Sequence, residues 1–252
     1  MAVVETECIV LRSYDLADAD KIALLLTADH GIVRAVAKGA KRLKSKFGGS
    51  LEPLSRLKAS YFKKETRELV DLDRAEIIES AFDLVSEPEI LTRFSYLTDI
   101  LISLVPAEDP DPAMFRMMTA CIETVRNRPE AIDSVSLYFE AWLLRLAGFF
   151  PSWDTCSICK VELGNGAEAH VTAEFQLICE GCRRSSGGEM LTADDRVTVA
   201  RSRRQSPEAF SSERVAADSL TRLSSIFKRM IVRATGFERV DRALQAGVQG
   251  SR

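Results

Sequence analysis

Histidine is scarce in this chain, where two of the 252 residues, His30 and His170, carry an imidazole. An enzyme that uses histidine as general base, proton relay or metal ligand would depend on one of these two residues. The sequence also lacks the GxxxxGK[ST] loop of nucleotide-binding enzymes and the GxGxxG, GxSxG and HExxH motifs. These absences favour a binding protein over an enzyme.

Long apolar runs are absent as well. No stretch reaches the ~18 residues that a membrane-spanning helix needs, and the first residues, MAVVETECIVLRSYD, carry acids where a signal peptide carries bases. The composition, 46% apolar and 28% charged, is that of an ordinary globular protein. We expect a cytoplasmic protein without membrane contact, in which the six cysteines are thiols or metal ligands rather than disulfides.

The net charge of −3 conceals a strong segregation of charge along the chain. Residues 31–67 carry 11 basic and 2 acidic side chains, a net charge of +9. Residues 68–135 carry 5 basic and 15 acidic side chains, a net charge of −10. A basic segment of this strength is typical of a surface that binds a polyanion, and the acidic total would hide it.

The first ~80 residues have the pattern of short β-strands. Apolar runs predict five strands, at 6–11, 21–27, 32–37, 57–63 and 68–72. The turn at 28–31 predicts a hairpin between the second and third strands. Five strands of this length favour a small barrel or a sandwich, and an OB-type barrel is one candidate.

From residue 81 onward the spacing of apolar residues is helical. It predicts helices over 90–104, 114–125, 137–144 and 216–234, with a rigid proline-rich linker at 106–112. Asp111 is placed to cap one helix, and Thr192 with Asp195 predicts a capping box at the start of another. We therefore expect an α+β protein, with a nucleic-acid-binding barrel domain at 1–80 and an α-helical domain at 81–252.

Four of the six cysteines form the strongest motif in the chain. They make two CxxC pairs separated by 19 residues, Cys156, Cys159, Cys179 and Cys182. This spacing is typical of a zinc ribbon, in which four thiolates surround one ion at ~2.3 Å and leave no position for a reactive water. We predict one structural Zn²⁺ per chain, in an insertion at 153–190. Two alternatives stay open, buried thiols with this spacing by chance and a redox-active pair, while Cys8 and Cys121 are expected in the core.

A basic segment follows the third predicted strand. Residues 38–49, KGAKRLKSKFGG, contain five bases and three glycines, a composition that lets a loop follow a phosphate backbone closely. Bases on neighbouring strands, Lys64 and Arg67 among them, would widen this surface. The residues that we predict to bind DNA phosphates are Arg34, Lys38, Lys41, Arg42, Lys44, Lys46, Arg56, Lys58 and Lys63. Tyr61 or Phe62 is a candidate for base stacking, and the alternative for the whole segment is a solvated loop without a partner.

Two stretches of the chain resemble the RecO family of recombination mediators. The first is ETECIVLRSYDLADADKIALLLTADHGIVRAVAKGAKRLKSKFGGSLEPL, and the second is AWLLRLAGFFPSWDTCSIC, followed later by FQLICEGC. The resemblance implies an N-terminal OB fold, a helical C-terminal domain and a four-cysteine zinc site, with the four cysteines named above as ligands. It maps the basic positions of the family's OB fold onto Arg34, Lys38, Lys41, Arg42, Lys44 and Lys46.

The resemblance also implies a role in DNA repair and homologous recombination without catalysis. RecO-like proteins bind single- and double-stranded DNA, anneal complementary strands, contact the acidic C-terminal tail of single-stranded-DNA-binding protein and, with RecR, assist RecA loading. Such a protein would act in the cytoplasm, at the nucleoid. No motif places the tail-binding pocket in this chain, and the candidates by charge are Arg201, Arg203, Arg204, Lys228, Arg229 and Arg233.

Two other functions stay open on the residues alone. A zinc-ribbon transcription factor or RNA-binding factor would share both the barrel and the cysteine motif. A metalloenzyme is disfavoured, because a zinc deaminase needs His-x-Glu as well as a CxxC, and His170 is followed here by Val171 and Thr172.

Overall fold

The computed structural model describes residues 2–16, 18–63, 68–164 and 167–236, except for the side chains of 185 and 186. The chain divides into two compact units, Met1–Pro129 and Glu130–Arg252, here the N-terminal unit and the C-terminal unit. Within the described ranges, no helix has the length and apolar character needed to cross a bilayer.

Five strands of the described residues form a closed barrel in the N-terminal unit. They are β1 (Ala2–Leu16), β2 (Asp20–Thr27), β3 (Gly31–Ala37), β4 (Arg56–Lys63) and β5 (Leu69–Glu79). Their order around the barrel is β1-β2-β3-β5-β4, and β4 pairs back onto β1. All neighbours are antiparallel except β3 and β5, which are parallel. The predicted OB-type barrel is confirmed.

The alternation of side chains along the strands explains the barrel core. In β4, Leu57 and Tyr61 are buried in the core while Lys58 is exposed, as expected for a strand with one buried face. The connection from β3 to β4 adds Phe47 and Leu51 to the same core. This connection is therefore packed onto the barrel at the point where the basic segment ends.

Helices follow the barrel in the N-terminal unit. Those of the described residues are α1 (Phe82–Val85), α2 (Pro88–Leu104) and α3 (Pro112–Asn127). Asp111 caps α3 as predicted, because its carboxylate accepts the N–H of Ala113 at 2.8 Å. The predicted linker at 106–112 lies against the barrel, where the N–H of Glu108 donates to the Ile32 carbonyl at 3.2 Å.

Gly31, the first residue of β3, is the tightest point of this contact. Its φ is +66°, and a Cβ at this position would lie 2.5 Å from the carbonyl oxygen of Asp109. We expect Gly31→Ala to lower the free energy of unfolding by roughly 2 kcal/mol, because the new methyl group meets both an unfavourable backbone conformation and a main-chain atom. Urea unfolding measures the loss. Gly49→Ala is the control, since nothing lies within 4 Å of its Cβ position, and equal midpoints for the two variants would contradict the prediction.

The C-terminal unit combines helices with a small sheet. After a 3-10 turn at Pro129–Ala131, its described helices are α4 (Ile132–Leu146), α5 (Glu180–Ser186), α6 (Ala193–Ser202), α7 (Pro207–Ser212) and α8 (Ala217–Thr235). Strands β6 (Ala169–Val171), β7 (Leu177–Ile178) and β8 (Glu189–Leu191) form an antiparallel sheet in the order β7-β6-β8. A β-barrel followed by helices confirms the predicted α+β class.

The predicted capping box begins α6. The Thr192 hydroxyl accepts the N–H of Asp195, and the Asp195 carboxylate accepts the N–H of Thr192 at 2.8 Å. The same buried carboxylate accepts two hydrogen bonds from the Arg222 guanidinium on α8, at 2.6 and 3.2 Å. Burial raises the pKa of Asp195, but the hydrogen bonds from Arg222, Ser219 and Thr192 outweigh burial and lower that pKa below its ordinary value.

The lowered pKa of Asp195 predicts that the C-terminal unit loses stability in acid. A carboxyl whose folded-state pKa is lowered adds stability above its ordinary pKa, and this stability is lost as the pH falls through the lowered value. We expect Asp195→Asn to cost roughly 2 kcal/mol at about pH 7, because it leaves Arg222 without its counter-charge. We also expect it to flatten the pH dependence of stability below the ordinary value of 3.8. Thermal unfolding across the acidic range measures both effects, and parallel profiles for the two proteins would contradict the assignment.

Candidate nucleic-acid interface and metal centre

The basic arm, residues 38–49, leaves β3 as a series of hydrogen-bonded turns. The N–H of Arg42 donates to the Gly39 carbonyl at 3.1 Å, and the N–H of Ser45 donates to the Arg42 carbonyl at 2.9 Å. Phe47 anchors the far end, since its side chain is buried in the barrel core. The arm is therefore ordered by its own hydrogen bonds and anchored to the barrel by Phe47.

The arm starts beside the connection between β1 and β2. The N–H of Lys41 donates to the Ala19 carbonyl at 2.9 Å, and the N–H of Gly39 donates to the Asp20 carboxylate at 2.8 Å. In OB-type barrels the β1–β2 loop is one of the elements that contact oligonucleotides. The arm is thus tied to the part of the barrel that faces nucleic acid in proteins with this fold.

The cations predicted for this surface point to solvent. The six that lie on β3 and the arm are all exposed, Arg34, Lys38, Lys41, Arg42, Lys44 and Lys46. Three of them form ion pairs with barrel aspartates, Lys38 with Asp71 at 2.7 Å, Lys41 with Asp15 at 2.8 Å and Lys46 with Asp73 at 3.1 Å. In the described part of the chain, Arg34, Arg42 and Lys44 make no ion pair.

The paired and unpaired cations have different roles in the arm. The hydrogen bond from Lys41 lowers the pKa of Asp15, as expected where an ammonium group holds a carboxylate. The aspartates partly compensate the charges of the paired lysines. The tip of the arm, residues 42–44, carries Arg42 and Lys44 with their charges open to solvent. The tip therefore offers two charges that a phosphate can meet without displacing a carboxylate of the described residues.

The bases predicted on β4 lie among carboxylates. The ion pairs are Arg56 with Glu7 at 4.0 Å and Glu79 at 3.8 Å, Lys58 with Glu5 at 3.8 Å, and Lys63 with Glu108 at 2.9 Å. Because each of these bases has an acid beside it, the outer face of β4 offers less positive charge than the arm does. Their contact with phosphates stays a prediction, and Lys64 and Arg67 lie outside the described residues.

The two aromatic candidates for base stacking lie on opposite faces of β4. Tyr61 is 1% exposed inside the barrel, where burial raises its pKa to about 12. Phe62 is half-buried on the outer face, in register with Val3 and Asp71. A base could therefore reach Phe62 but not Tyr61.

The four cysteines of the predicted zinc site come together in the C-terminal unit. Their sulfur atoms all lie within 4.8 Å of one another, and the Sγ atoms of Cys159 and Cys179 are 3.7 Å apart. Four thiolates at ~2.3 Å from a tetrahedral ion are separated from one another by about 3.8 Å, whereas a disulfide needs ~2 Å. The spacing fits a tetrahedral metal site, so the four cysteines could hold a metal ion.

Two short backbone turns present these sulfurs. In the first, the N–H of Lys160 donates to the Cys156 carbonyl at 3.0 Å. In the second, Cys179 precedes α5, and the N–H of Cys182 donates to its carbonyl at 3.0 Å. The N–H of Cys179 also donates to the Cys156 Sγ at 3.4 Å. This hydrogen bond joins the two turns at the sulfur of Cys156 without help from a metal ion.

The pKa values of Cys156 and Cys182 are shifted in opposite directions. Burial raises the pKa of Cys156, but hydrogen bonds to its sulfur from the backbone of Cys159, Cys179 and Ile158 outweigh burial and lower it to about 6. Hydrogen bonding with Cys179 raises the pKa of Cys182 to about 12. The lowered pKa favours the thiolate of Cys156, and the negative charge of that thiolate contributes to the raised pKa of Cys182. A bound cation would remove that conflict.

Cys8, Cys121 and His170 lie in surroundings that indicate structural roles. Cys8 and Cys121 are buried as predicted, and burial raises the pKa of both thiols, that of Cys8 to about 12. His170 is 2% exposed, and its Nε2 lies 2.6 Å from a carboxylate oxygen of Glu180. The hydrogen bond from His170 lowers the pKa of Glu180, so the imidazole supports the turn that carries the second cysteine pair.

Arg196 on α6 holds the metal-binding segment and was not singled out from the sequence. Its guanidinium is 4% exposed and donates to three carbonyls, those of Ala167 at 3.2 Å, Trp153 at 3.1 Å and Leu163 at 2.8 Å. Burial lowers the pKa of Arg196. An arginine in a helix usually faces solvent, so the local pattern contains no signal for this role.

Comparison with known proteins agrees with this geometry. The family model described as Recombination protein O N terminal matches residues 1–81, and the one described as Recombination protein O C terminal matches residues 86–236. The DNA repair protein RecO of Koribacter versatilis (strain Ellin345) is 33% identical over 193 residues, which are 76% of this chain and 77% of that protein. The DNA repair protein RecO of Geobacter metallireducens is 32% identical over 179 residues, 71% of this chain and 72% of that protein. The chain therefore belongs to the recombination protein O family, whose members are DNA repair proteins.

Proposed function

We propose that this protein is a recombination mediator that acts on DNA at the nucleoid, binds single- and double-stranded DNA through the basic arm, and anneals complementary strands without catalysing a reaction. The observation that carries this proposal is the arm tip, where Arg42 and Lys44 point to solvent beside the β1–β2 connection of an OB-type barrel. Membership of a DNA repair family supports the same role.

Annealing follows physically from neutralisation of charge. Two DNA strands repel one another through their phosphates, and cations that contact both backbones lower this repulsion while counterions are released. Arg42 and Lys44 supply the first contacts. Lys38, Lys41 and Lys46 can add to them by exchanging a carboxylate for a phosphate, because their ion pairs are exposed to solvent and weak.

Annealing is expected to need no nucleotide, because no covalent bond is made or broken. We expect the full-length protein to accelerate pairing of two complementary oligonucleotides equally with and without ATP, as followed by fluorescence quenching. If about six phosphates are neutralised on a single strand, the slope of log K against log salt is roughly −4. A requirement for ATP or a flat salt dependence would contradict the proposal. Equal competition by RNA would instead favour an RNA-binding factor.

We also propose that Cys156, Cys159, Cys179 and Cys182 hold one Zn²⁺ per chain in a structural role. The distances between their sulfurs support this, and tetrahedral thiolate is a ligand set that zinc prefers. Bound zinc would supply a cross-link between two turns, since four sulfurs fill its coordination sphere.

The proposed protein partners are RecR, RecA through RecR, and the acidic tail of single-stranded-DNA-binding protein. For the tail, support comes from a cavity of about 270 Å³ in the C-terminal unit. Its lining includes Trp153, Arg203 and Arg145, whose guanidinium lies 4.6 Å from the centre of the Phe150 ring. Cations beside aromatic rings suit a peptide that carries carboxylates and an apolar end.

Among the six tail-binding candidates chosen by charge, Arg203 lines this cavity and forms an ion pair with Asp154 at 2.9 Å. Three others have partners of their own, Arg201 with Glu213, Arg229 with Glu189, and Arg233 with the Ala173 carbonyl. Arg203 is favoured as the contact for a carboxylate of the tail because it lines the cavity, and the tail carboxylate would replace Asp154 in an exposed, weak ion pair.

A further inference from the structure

Leu43 is the most exposed large apolar side chain of the described residues. Its relative accessibility is 102%, against 71% for Phe82 and 60% for Val3. Single exposed apolar residues are common on protein surfaces, so exposure by itself assigns no role to Leu43. Its surroundings give the exposure a meaning.

The backbone around Leu43 is fixed by hydrogen bonds. The bond from the Ser45 N–H to the Arg42 carbonyl, at 2.9 Å, closes a four-residue turn with Leu43 and Lys44 at its two central positions. A preceding turn is closed by the Arg42 N–H on the Gly39 carbonyl at 3.1 Å. The hydrogen-bonded turn therefore places the side chain of Leu43 in solvent.

The charges around Leu43 fall into two groups. On either side of the tip, Lys41 and Lys46 pair with Asp15 and Asp73 at 2.8 and 3.1 Å, so their charges are partly compensated. The immediate neighbours of Leu43 in the chain are Arg42 and Lys44, whose side chains make no ion pair with described residues. An exposed apolar side chain thus stands between two cations that are free to meet anions.

This arrangement matches the chemistry of a nucleic-acid strand, in which apolar base faces alternate with phosphates. Proteins insert leucine and other apolar side chains between bases and unstack them, and contact with a base face is largely independent of base identity. An acidic peptide would equally meet the cations but offers no stacked bases to separate.

We propose that Leu43 is a base-contacting residue, which packs against an unstacked nucleobase while Arg42 and Lys44 hold the neighbouring phosphates. This inference deepens the proposed DNA-binding function and rests on it. Leu43 would contribute apolar contact area and unstack a nucleobase. Arg42 and Lys44 would contribute the dependence of DNA affinity on salt.

The test uses a single-stranded oligonucleotide with one internal 2-aminopurine, whose fluorescence rises when the base unstacks. We expect the full-length wild-type protein to raise this fluorescence on binding. Leu43→Ala is expected to bind about fivefold more weakly, through loss of apolar contact, to lose most of the fluorescence rise, and to keep the wild-type salt slope. Leu43→Phe is expected to retain both affinity and fluorescence, because an aromatic ring can make the same contact.

The matched control is Phe82→Ala, which removes another exposed apolar side chain of the N-terminal unit. It is expected to leave affinity and fluorescence unchanged. Wild-type affinity and fluorescence in Leu43→Ala, with a steep salt dependence in both proteins, would overturn the base contact alone. A wild-type protein without salt-dependent binding would overturn the proposed function itself.

Discussion

Charge reversal at the arm tip, Arg42→Glu with Lys44→Glu, is expected to weaken binding of single-stranded DNA about 100-fold at low salt. Two phosphate contacts are lost and two repulsive charges take their place. Since each phosphate contact on a single strand contributes roughly 0.7 to the slope of log K against log salt, we expect the slope to fall by about 1.4. Fluorescence anisotropy across a salt series measures both quantities.

A matched control separates the tip from net charge. Arg116 and Arg214 are exposed outside the arm, and Arg116→Glu with Arg214→Glu changes the net charge by the same amount. We expect this control to retain most of the affinity and the full salt slope. A slope in the tip variant equal to that of the wild type would show that the footprint of DNA lies elsewhere.

Replacing Cys156 by serine is expected to remove the metal and destabilise the C-terminal unit by at least about 4 kcal/mol. The sulfur of Cys156 accepts the N–H of Cys179 at 3.4 Å, so the substitution weakens the junction of the two turns as well as the metal site. Metal content by mass spectrometry of the native protein and thermal unfolding measure the two effects. DNA binding by the arm is expected to change little at temperatures where the variant stays folded.

The control for this variant is Cys121→Ala, which removes a buried thiol outside the quartet. It is expected to retain one metal ion per chain. Equal metal content in Cys156→Ser, Cys121→Ala and the wild type would exclude the quartet as the metal site.

The barrel could be predicted in large part from local patterns. Short apolar runs marked each of the five strands, and the turn at 28–30 joined β2 and β3 as expected. The length of β1 could not be predicted, because its ladder with β4 extends from Ala2 to Ile9, beyond the apolar run at 6–11. Such pairing depends on a strand about 50 residues away in sequence, where local periodicity carries no information.

Of the candidate sites, the four-cysteine site could be predicted from spacing along the chain, because two CxxC pairs set the local turns that present the sulfurs. Spacing along the chain could not show which basic side chains of the arm are free of ion pairs with described residues and so can bind a phosphate. The partners of Lys41 and Lys46 are 26 and 27 residues away in sequence and reach them through the closed barrel. Arg196 was missed for the same reason, since the three carbonyls that it holds come from residues 29 to 43 positions earlier.

The amino-acid sequence by itself determined the α+β order, the basic arm, the helix caps and the four-cysteine motif, because each of these depends on residues close together in the chain. Tertiary structure alone decided which cations pair with aspartates, which aromatic ring of β4 is buried, and that Leu43 stands exposed between Arg42 and Lys44, which make no ion pair within the described part of the chain. Electrostatic and packing energies depend on distance in space, and that distance exists only once the strands have closed into a barrel.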